Sequence, residues 1–144
     1  MPTGDRGCVF CEIAAGRSAA AVVLEAEASI AFLDHRPLFP GHVLLVPRDH
    51  VPTLLELPPD QVGPLFSNAR RIAAALESGL GAQGSFVAVN NRVSQSVPHL
   101  HVHVVPRSRG DGLRGFFWPR QRYADAAEQA RVAAAIRGEL ERAA

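Results

Sequence analysis

The sequence contains no lysine: all 15 of its basic residues are arginines, against 14 acidic residues. Without lysine the chain has no Schiff-base amine and no P-loop lysine, so both kinds of catalysis are excluded. The formal net charge of +1 gives no indication of a nucleic-acid or membrane partner. No secretory signal begins at Met1, and no apolar run reaches the roughly 18 residues of a membrane span. We therefore expect a cytoplasmic protein.

Cysteine is nearly absent as well, since the chain has only Cys8 and Cys11. Two cysteines this close in sequence cannot cross-link a domain, so their C-x-x-C motif is redox-active, metal-binding or unused. A chain of 144 residues is long enough to bury a core without disulfides. We expect one domain over residues 1–144.

The hydrophobic pattern predicts an α+β fold. Links between the first three strands are too short for parallel crossovers, so an antiparallel five-stranded sheet is favoured over a βαβ arrangement. One long helix opens at Pro58-Pro59-Asp60 and ends at Gly79 to Gly81. The other predicted elements are strands at 21–25, 29–34, 42–46, 85–89 and 99–105, and a C-terminal helix at about 123–142.

Three histidines alternate with apolar residues in the segment from His99 to Val105. Because a strand has a period of two, the rings of His99, His101 and His103 project from one face and the apolar side chains from the other. One substrate group can then touch two or three imidazoles, which act as nucleophile, acid or base near neutral pH. The alternative is a zinc hydrolase that uses the three histidines as metal ligands.

Further motifs precede these histidines in a fixed order along the chain. They are Cys8–Cys11, Ala31–Asp34, Gly41–His50, Val89–Asn91 and Gln95–Pro98. In this order they resemble the histidine-triad (HIT) family, whose motif His-φ-His-φ-His-φ-φ, with φ apolar, is matched at every position from His99 to Val105. The resemblance covers Cys8 to Arg107.

The resemblance implies an antiparallel sheet with a long helix, assembled as a homodimer. It also implies hydrolysis or transfer at the α-phosphorus of a purine nucleotide derivative, such as a phosphoramidate or a dinucleoside polyphosphate, through a nucleotidyl-histidine intermediate. The site residues that it implies are His101 as nucleophile, His99 and His103 as orienting and charge-stabilising groups, His42 as a further active-site histidine, Asp34 at the ribose, and Asn90, Gln95 and Ser96 at or beside the phosphate.

Simpler roles stay open for several of these residues. Asp34 precedes a loop that contains prolines, so its carboxylate is equally suited to capping a turn. Asn90 fits a turn and Ser96 a strand edge, whereas His35 matches no site position and is expected at the surface. The protein is alternatively a nucleotide-binding regulatory module of low turnover.

Some bacterial proteins of the HIT type hold zinc at positions that match Cys8, Cys11, His50 and His99. The resemblance therefore implies a structural zinc ion with a Cys₂His₂ ligand set, with a redox pair or idle thiols as alternatives. If His99 binds the metal, its ring cannot donate freely to a phosphate, and the metal helps to position His101. No metal is expected in the chemical step, since no aspartate cluster lies beside the triad.

Two segments depart from the family pattern. Ser94 stands where glycine is usual in a loop that faces the phosphate, and glycine would suit a tight turn there. Beyond Arg107 the match fades, and the aromatic segment Gly115–Arg120 is expected to close over the substrate, pack on a partner subunit or form a small satellite core.

Overall fold

The computed structural model describes residues 7–114 and 120–143 of the chain. The chain divides into two compact units, residues 1–111 and 112–144, so one domain over 1–144 stays a prediction. The aromatic segment singled out above lies, apart from Arg120, outside the described residues. The elements are α1 (Val9–Ala14), β1 (Val22–Glu25), β2 (Ser29–Leu33), β3 (Val43–Pro47), a 3-10 turn (Leu54–Glu56), α2 (Pro59–Leu80), β4 (Gly84–Ala88), β5 (Val102–Arg107) and α3 (Ala126–Ala143).

The first unit is built on a five-stranded antiparallel sheet in the order β1-β2-β3-β5-β4. The α+β class, the long helix and the C-terminal helix are confirmed. The predicted start of the last strand at His99 is wrong, because β5 begins at Val102. The preceding backbone hydrogen-bonds elsewhere, since the N–H of Leu100 donates to the carbonyl of Val51 at 2.8 Å. The short helix α1 was not predicted.

Alternation along the strands separates two hydrophobic clusters on the two faces of the sheet. Val43 and Leu45 belong to the cluster beneath α2, whereas Leu44 and Val46 belong to the cluster beneath α1. Helix α2 contributes Leu65, Ala69, Ile72 and Leu76, at the spacing of one helical face. The sheet is therefore covered on both faces, and the side chains of β5 that point toward α1 are surrounded by apolar groups.

A close contact at Gly41 fixes the chain just before the first active-site candidate, His42. The φ angle of Gly41 is +102°, and a Cβ atom added there would lie 2.5 Å from Cδ1 of Leu80. A larger residue would therefore clash with α2 as well as strain the backbone. This glycine lets β3 start against the end of the helix.

In the second unit, α3 follows a turn that caps its first residues. The N–H of Glu128 donates to Oδ1 of Asp125 at 2.8 Å, and the N–H of Ala124 donates to Oε2 of Glu128 at 2.7 Å. These contacts satisfy amides that an N-terminal turn leaves without intrahelical partners. Within the described parts of the chain, neither α3 nor any other helix combines the length and the apolar character needed to cross a bilayer.

Candidate active site

The histidine segment runs into an interior strand of the sheet, because β5 pairs with β3 on one side and β4 on the other. Val102 and Val104 are completely buried in the α2 cluster, and His103 lies opposite Leu44 in the register with β3. Alternation along β5 places His103 on the α1 face, and the rings of His99 and His101, which precede the strand, reach the same face because both contact Phe10 of α1.

His101 is 4% exposed, and its Nδ1 lies 2.8 Å from the carbonyl oxygen of His99. A carbonyl can only accept a hydrogen bond, so the proton of the neutral ring is on Nδ1 and the lone pair is on Nε2. The ring packs edge to face on Phe10 and His103, with centroid distances of 5.1 and 4.9 Å. The backbone thus prepares the electronic form that a nitrogen nucleophile requires.

His103 takes the opposite role because of a chain of hydrogen bonds that begins at the backbone. The N–H of Leu38 donates to Nδ1 of His42 at 3.1 Å, which leaves the proton of His42 on Nε2. That nitrogen lies 3.0 Å from Nδ1 of His103 and donates to it. His103 therefore carries its own proton on Nε2, where it can be donated to a ligand.

Both histidines of this relay are held neutral at pH 7. Burial lowers the pKa of His103 to about 4, and the neighbouring rings of His101 and His42 lower it further. Burial likewise lowers the pKa of His42, while the carboxylate of Asp34 opposes the shift. A neutral His103 keeps the acceptor lone pair on which the hydrogen bond from His42 depends.

Asp34 follows β2 and is tied to the same loop. Its N–H donates to the carbonyl of His42 at 2.9 Å, and its Oδ1 accepts from the N–H of Arg36 at 2.9 Å. Asp34 therefore caps a turn in the folded chain. The carboxylate also lines the cavity that holds His101, so it is placed for a ligand as well.

Asp34, His42 and His103 also lie close enough to be considered as metal ligands. Their hydrogen bonds argue against this, because both nitrogens of His42 are already used. Its Nδ1 accepts from Leu38 and its Nε2 carries the proton, so neither presents a free lone pair to an ion. The group is better explained as a relay.

A cavity of about 500 Å³ opens in front of the triad. Its walls are mainly apolar and include a few polar groups, as expected for a small-molecule site. The apolar lining includes Phe10, Ile13, Phe32, Leu44 and Val97, and the polar lining includes Asp34, His35, Ser96, His101 and His103. A groove of about 580 Å³ lies elsewhere, between α2 and residues such as Val23 and Leu33, and contains none of the histidines. The chemistry therefore points to the smaller cavity.

The loop before the triad is held in an unusual conformation. Arg92 and Ser94 have φ angles of +69° and +63°, so Ser94 adopts the backbone form that glycine would adopt without strain. The side chain of Gln95 clamps this loop, because its Nε2 donates to the carbonyl of Pro52 at 2.6 Å and its Oε1 accepts from the N–H of Arg92 at 2.8 Å.

The predicted phosphate-side residues are thus placed differently from one another. Ser96 lines the cavity with His101. Gln95 uses both ends of its amide in hydrogen bonds to the backbone, one to Arg92 of the loop and one to Pro52. Asn90 is exposed beyond β4 and is not part of the cavity lining. Their roles toward a phosphate stay predictions.

The predicted zinc ligands come together in a second cluster. Nδ1 of His99 lies 3.4 Å from Sγ of Cys8 and 3.5 Å from Sγ of Cys11, and Nδ1 of His50 lies 3.3 Å from Sγ of Cys11. All four ligand atoms lie within 4.8 Å of one another. Tetrahedral zinc, with bonds of about 2.3 Å to sulfur and about 2.0 Å to nitrogen, requires S···N separations of about 3.5 Å. The geometry and the donor set fit this ion.

The orientation of His99 bears on its two predicted roles. Its Nε2 lies 2.8 Å from the carbonyl of Pro47 and so carries the proton, which leaves the Nδ1 lone pair facing the cysteines. Burial lowers the pKa of His99 to about 4. Its ring therefore faces the cysteines while its carbonyl accepts from His101, and its role toward zinc or phosphate stays a prediction.

Sequence reasoning missed Phe10 as a site residue. Its ring packs on His99 and His101 at centroid distances of 5.9 and 5.1 Å, and on Phe32 at 5.5 Å. A signal was available, because Phe10 lies within the C-x-x-C motif, and a residue between two metal-ligand candidates is placed by them.

Comparison with known proteins agrees with this geometry. The family model described as the HIT domain matches residues 15–110. A bis(5'-nucleosyl)-tetraphosphatase of Schizosaccharomyces pombe is 38% identical over 85 residues, which are 58% of this chain and 47% of that protein. An adenylylsulfatase of Arabidopsis thaliana is 36% identical over 113 residues, 77% of this chain and 57% of that protein. The chain thus spans about half the length of these curated relatives.

Among solved structures, a zinc-bound histidine triad family protein of Mycobacterium smegmatis superposes with a TM-score of 0.71 at 36% sequence identity. The match covers 95% of this chain and 97% of the other. The similarity therefore extends over nearly the whole of both proteins, and the Mycobacterium smegmatis protein is the one that is zinc-bound.

Proposed function

The chain belongs to the histidine-triad (HIT) family, whose function is of the nucleotide hydrolase or transferase type, and we propose that it cleaves nucleotide derivatives at the α-phosphorus through a nucleotidyl-His101 intermediate. One observation carries this proposal. The hydrogen bond from Nδ1 of His101 to the carbonyl of His99 leaves an unprotonated Nε2 in the ring that lines the cavity.

The reaction balances as two displacements. In the first, the lone pair on Nε2 of His101 forms an N–P bond as the bond from phosphorus to the leaving group breaks, and that group departs with the electron pair and takes up a proton from solvent. The ring becomes cationic, and the carbonyl of His99 stabilises the Nδ1–H that it retains. In the second, water forms an O–P bond as the N–P bond breaks, the electron pair of that bond returns to Nε2, and the attacking water releases one proton to solvent, which restores neutral His101.

His103 supplies an oriented donor beside the nucleophile. Its ring lies 4.9 Å from that of His101. The 3.0 Å hydrogen bond from His42 to Nδ1 of His103 keeps the proton of His103 on Nε2. A neutral N–H held in a buried site stabilises charge as it develops on phosphate oxygens, and it need not reorient during the reaction.

The rest of the cavity suits a nucleoside. Phe10, Ile13 and Phe32 provide apolar surface for a base, while Asp34 provides carboxylate oxygens for ribose hydroxyls. The volume of about 500 Å³ lies within the range of small-molecule sites, roughly 300–1,000 Å³. We propose dinucleoside polyphosphates, adenylylated anions and nucleoside phosphoramidates as substrate classes, and the names of two relatives support the first two.

We also propose that Cys8, Cys11, His50 and His99 hold a structural zinc ion, and that the protein acts as a cytoplasmic homodimer. Zinc would supply structural cross-linking between α1 and the segment that precedes β5. Light scattering at micromolar concentration tests the dimer, and a mass near 15.4 kDa contradicts it.

Rapid-quench mass spectrometry tests the intermediate. Wild-type protein should gain one acid-labile nucleoside monophosphate on the peptide that carries His99 to His103, and His101→Ala should gain none. His101→Ala should lose at least about a thousandfold in rate, since no second nucleophile replaces the ring. Glu77→Ala is the control, because the Glu77 side chain is exposed on α2 and is not part of the cavity lining. Inversion at a chiral phosphorothioate would mean direct attack by water and would refute the intermediate.

A further inference from the structure

Phe10 connects the sulfur cluster to the nucleophile. It lies between Cys8 and Cys11 in α1 and is 6% exposed. Its ring packs edge to face on His99, which shares the cluster with both cysteines, and on His101. One side chain therefore touches a candidate metal ligand and the proposed nucleophile.

Helix α1 presents different residues to the two sites. Cys8 and Cys11 face His99 at 3.4 and 3.5 Å, whereas Val9, Phe10 and Ile13 line the cavity. The backbone of both cysteines is hydrogen-bonded into this six-residue helix, because the N–H groups of Glu12 and Ala15 donate to the carbonyls of Cys8 and Cys11, both at 3.0 Å. A displacement of α1 at the cysteines therefore moves the cavity wall as well.

A second connection runs through the backbone of His99. Its ring faces the cysteines, and its carbonyl accepts the hydrogen bond from Nδ1 of His101 at 2.8 Å. Cys8 and His99 are 91 positions apart in sequence, so a metal ion bound by both joins two distant segments at the point where His101 is oriented. Both connections converge on the same imidazole.

We propose that Phe10 is a positioning residue through which metal binding at the cysteine–histidine cluster and nucleotide binding in the cavity strengthen each other. The proposal rests on the proposed function. The metal fixes α1 against the segment that precedes β5, and Phe10 then holds the His101 ring and the cavity wall in the arrangement that a nucleotide meets. Coupling between two binding sites is reciprocal, so bound nucleotide must raise metal affinity by the same factor.

The reciprocal factor is measured with zinc and adenosine 5'-monophosphate as probes. Chelator competition gives the zinc affinity of the full chain with and without saturating AMP, and calorimetry gives the AMP affinity with and without zinc. We expect the same increase in both, at least about fivefold. If AMP binds but neither ligand changes the affinity for the other, the coupling is refuted while the proposed function stands. If the zinc-loaded chain bound no nucleotide, the proposed function would fail, and this inference with it.

Cobalt-loaded protein tests the role of Phe10 without removing the metal. In wild type, AMP should shift the visible absorption of Co²⁺ bound at the cluster, because the nucleotide restrains His99 through Phe10 and His101. In Phe10→Leu and Phe10→Met the shift should fall to the smaller part that the hydrogen bond between the His99 carbonyl and His101 transmits, although both variants still bind Co²⁺ and AMP. The two substitutions have similar volumes but differ in branching and flexibility, so a folding failure of one leaves the other to decide.

Ile30→Val is the matched control. Ile30 is 2% exposed and belongs to the same hydrophobic cluster as Phe10, but it is not part of the cavity lining. This variant should keep the AMP-induced shift and the reciprocal factor. Retention of the full shift in a folded Phe10 variant, or an equal decrease in Ile30→Val, would contradict the assignment to Phe10.

Discussion

Replacement of His42 tests whether a buried relay fixes the proton of His103. His42 is 4% exposed, accepts from the N–H of Leu38 and donates to Nδ1 of His103. His42→Leu removes both contacts with a modest change of volume. Without the donor at Nδ1, His103 no longer favours the form that carries its proton on Nε2, and the proposed phosphate donor is lost.

The expected loss of kcat corresponds to the loss of one hydrogen-bond donor. Loss of one oriented donor in a buried active site costs about 2.7–4 kcal/mol of transition-state stabilisation, or about 100- to 1,000-fold in kcat. Stability falls separately by about 0.5–1.5 kcal/mol, because the hydrogen bond from the Leu38 N–H is lost. His42→Gln should recover part of the kcat, since a side-chain amide can accept from Leu38 and donate to His103.

Two assays separate these effects. Steady-state kinetics report kcat, and the ¹⁵N chemical shifts of the imidazoles report which nitrogen of His103 is protonated. Urea unfolding reports the loss of stability independently of catalysis. The reasoning is refuted if His42→Leu keeps its kcat, or if His103 keeps its proton on Nε2 without His42.

Three further predictions concern the metal, acid stability and the loop. One zinc per chain should copurify and be lost in Cys8→Ser by elemental analysis, and an equally stable metal-free wild type would contradict the cluster. The free energy of unfolding should decrease as the pH falls from about 6.5 to about 4, because the unfolded chain then binds a proton that folded His103 excludes. In His103→Asn, the free energy of unfolding measured with urea should depend less steeply on pH than in wild type. Ser94→Gly should raise the free energy of unfolding by up to about 1 kcal/mol by relieving the positive φ, whereas Ser78→Gly within α2 should lower it by about as much. If both substitutions change the free energy of unfolding in the same direction, the backbone of Ser94 is not strained.

Local pattern alone was sufficient for several features. The alternation from His99 to Val105 places the imidazoles opposite Val102 and Val104, because the period of an extended chain depends on the backbone and not on its partners. The short links between the first strands exclude parallel crossovers, and the apolar spacing along α2 identifies its buried face. The C-x-x-C motif marks the cluster, although other uses of the cysteines remained open.

The tertiary structure decided which nitrogen of each histidine does what. The proton positions of His99, His101 and His42 depend on the carbonyl of Pro47, the carbonyl of His99 and the N–H of Leu38. All three partners are backbone groups, one of them 52 positions away in sequence, and every residue carries such groups. Residue type therefore does not reveal which one an imidazole meets.

The same reason explains what was missed around the site. Phe10 faces the triad only because Cys8 lies against His99 across 91 positions. Gln95 ties its loop to a segment 43 positions away because the carbonyl of Pro52 lies within reach. Sequence thus determined which side chains are available and on which face they lie, whereas long-range packing determined their partners, since hydrogen bonds and metal ligation depend on distances that only the folded chain sets.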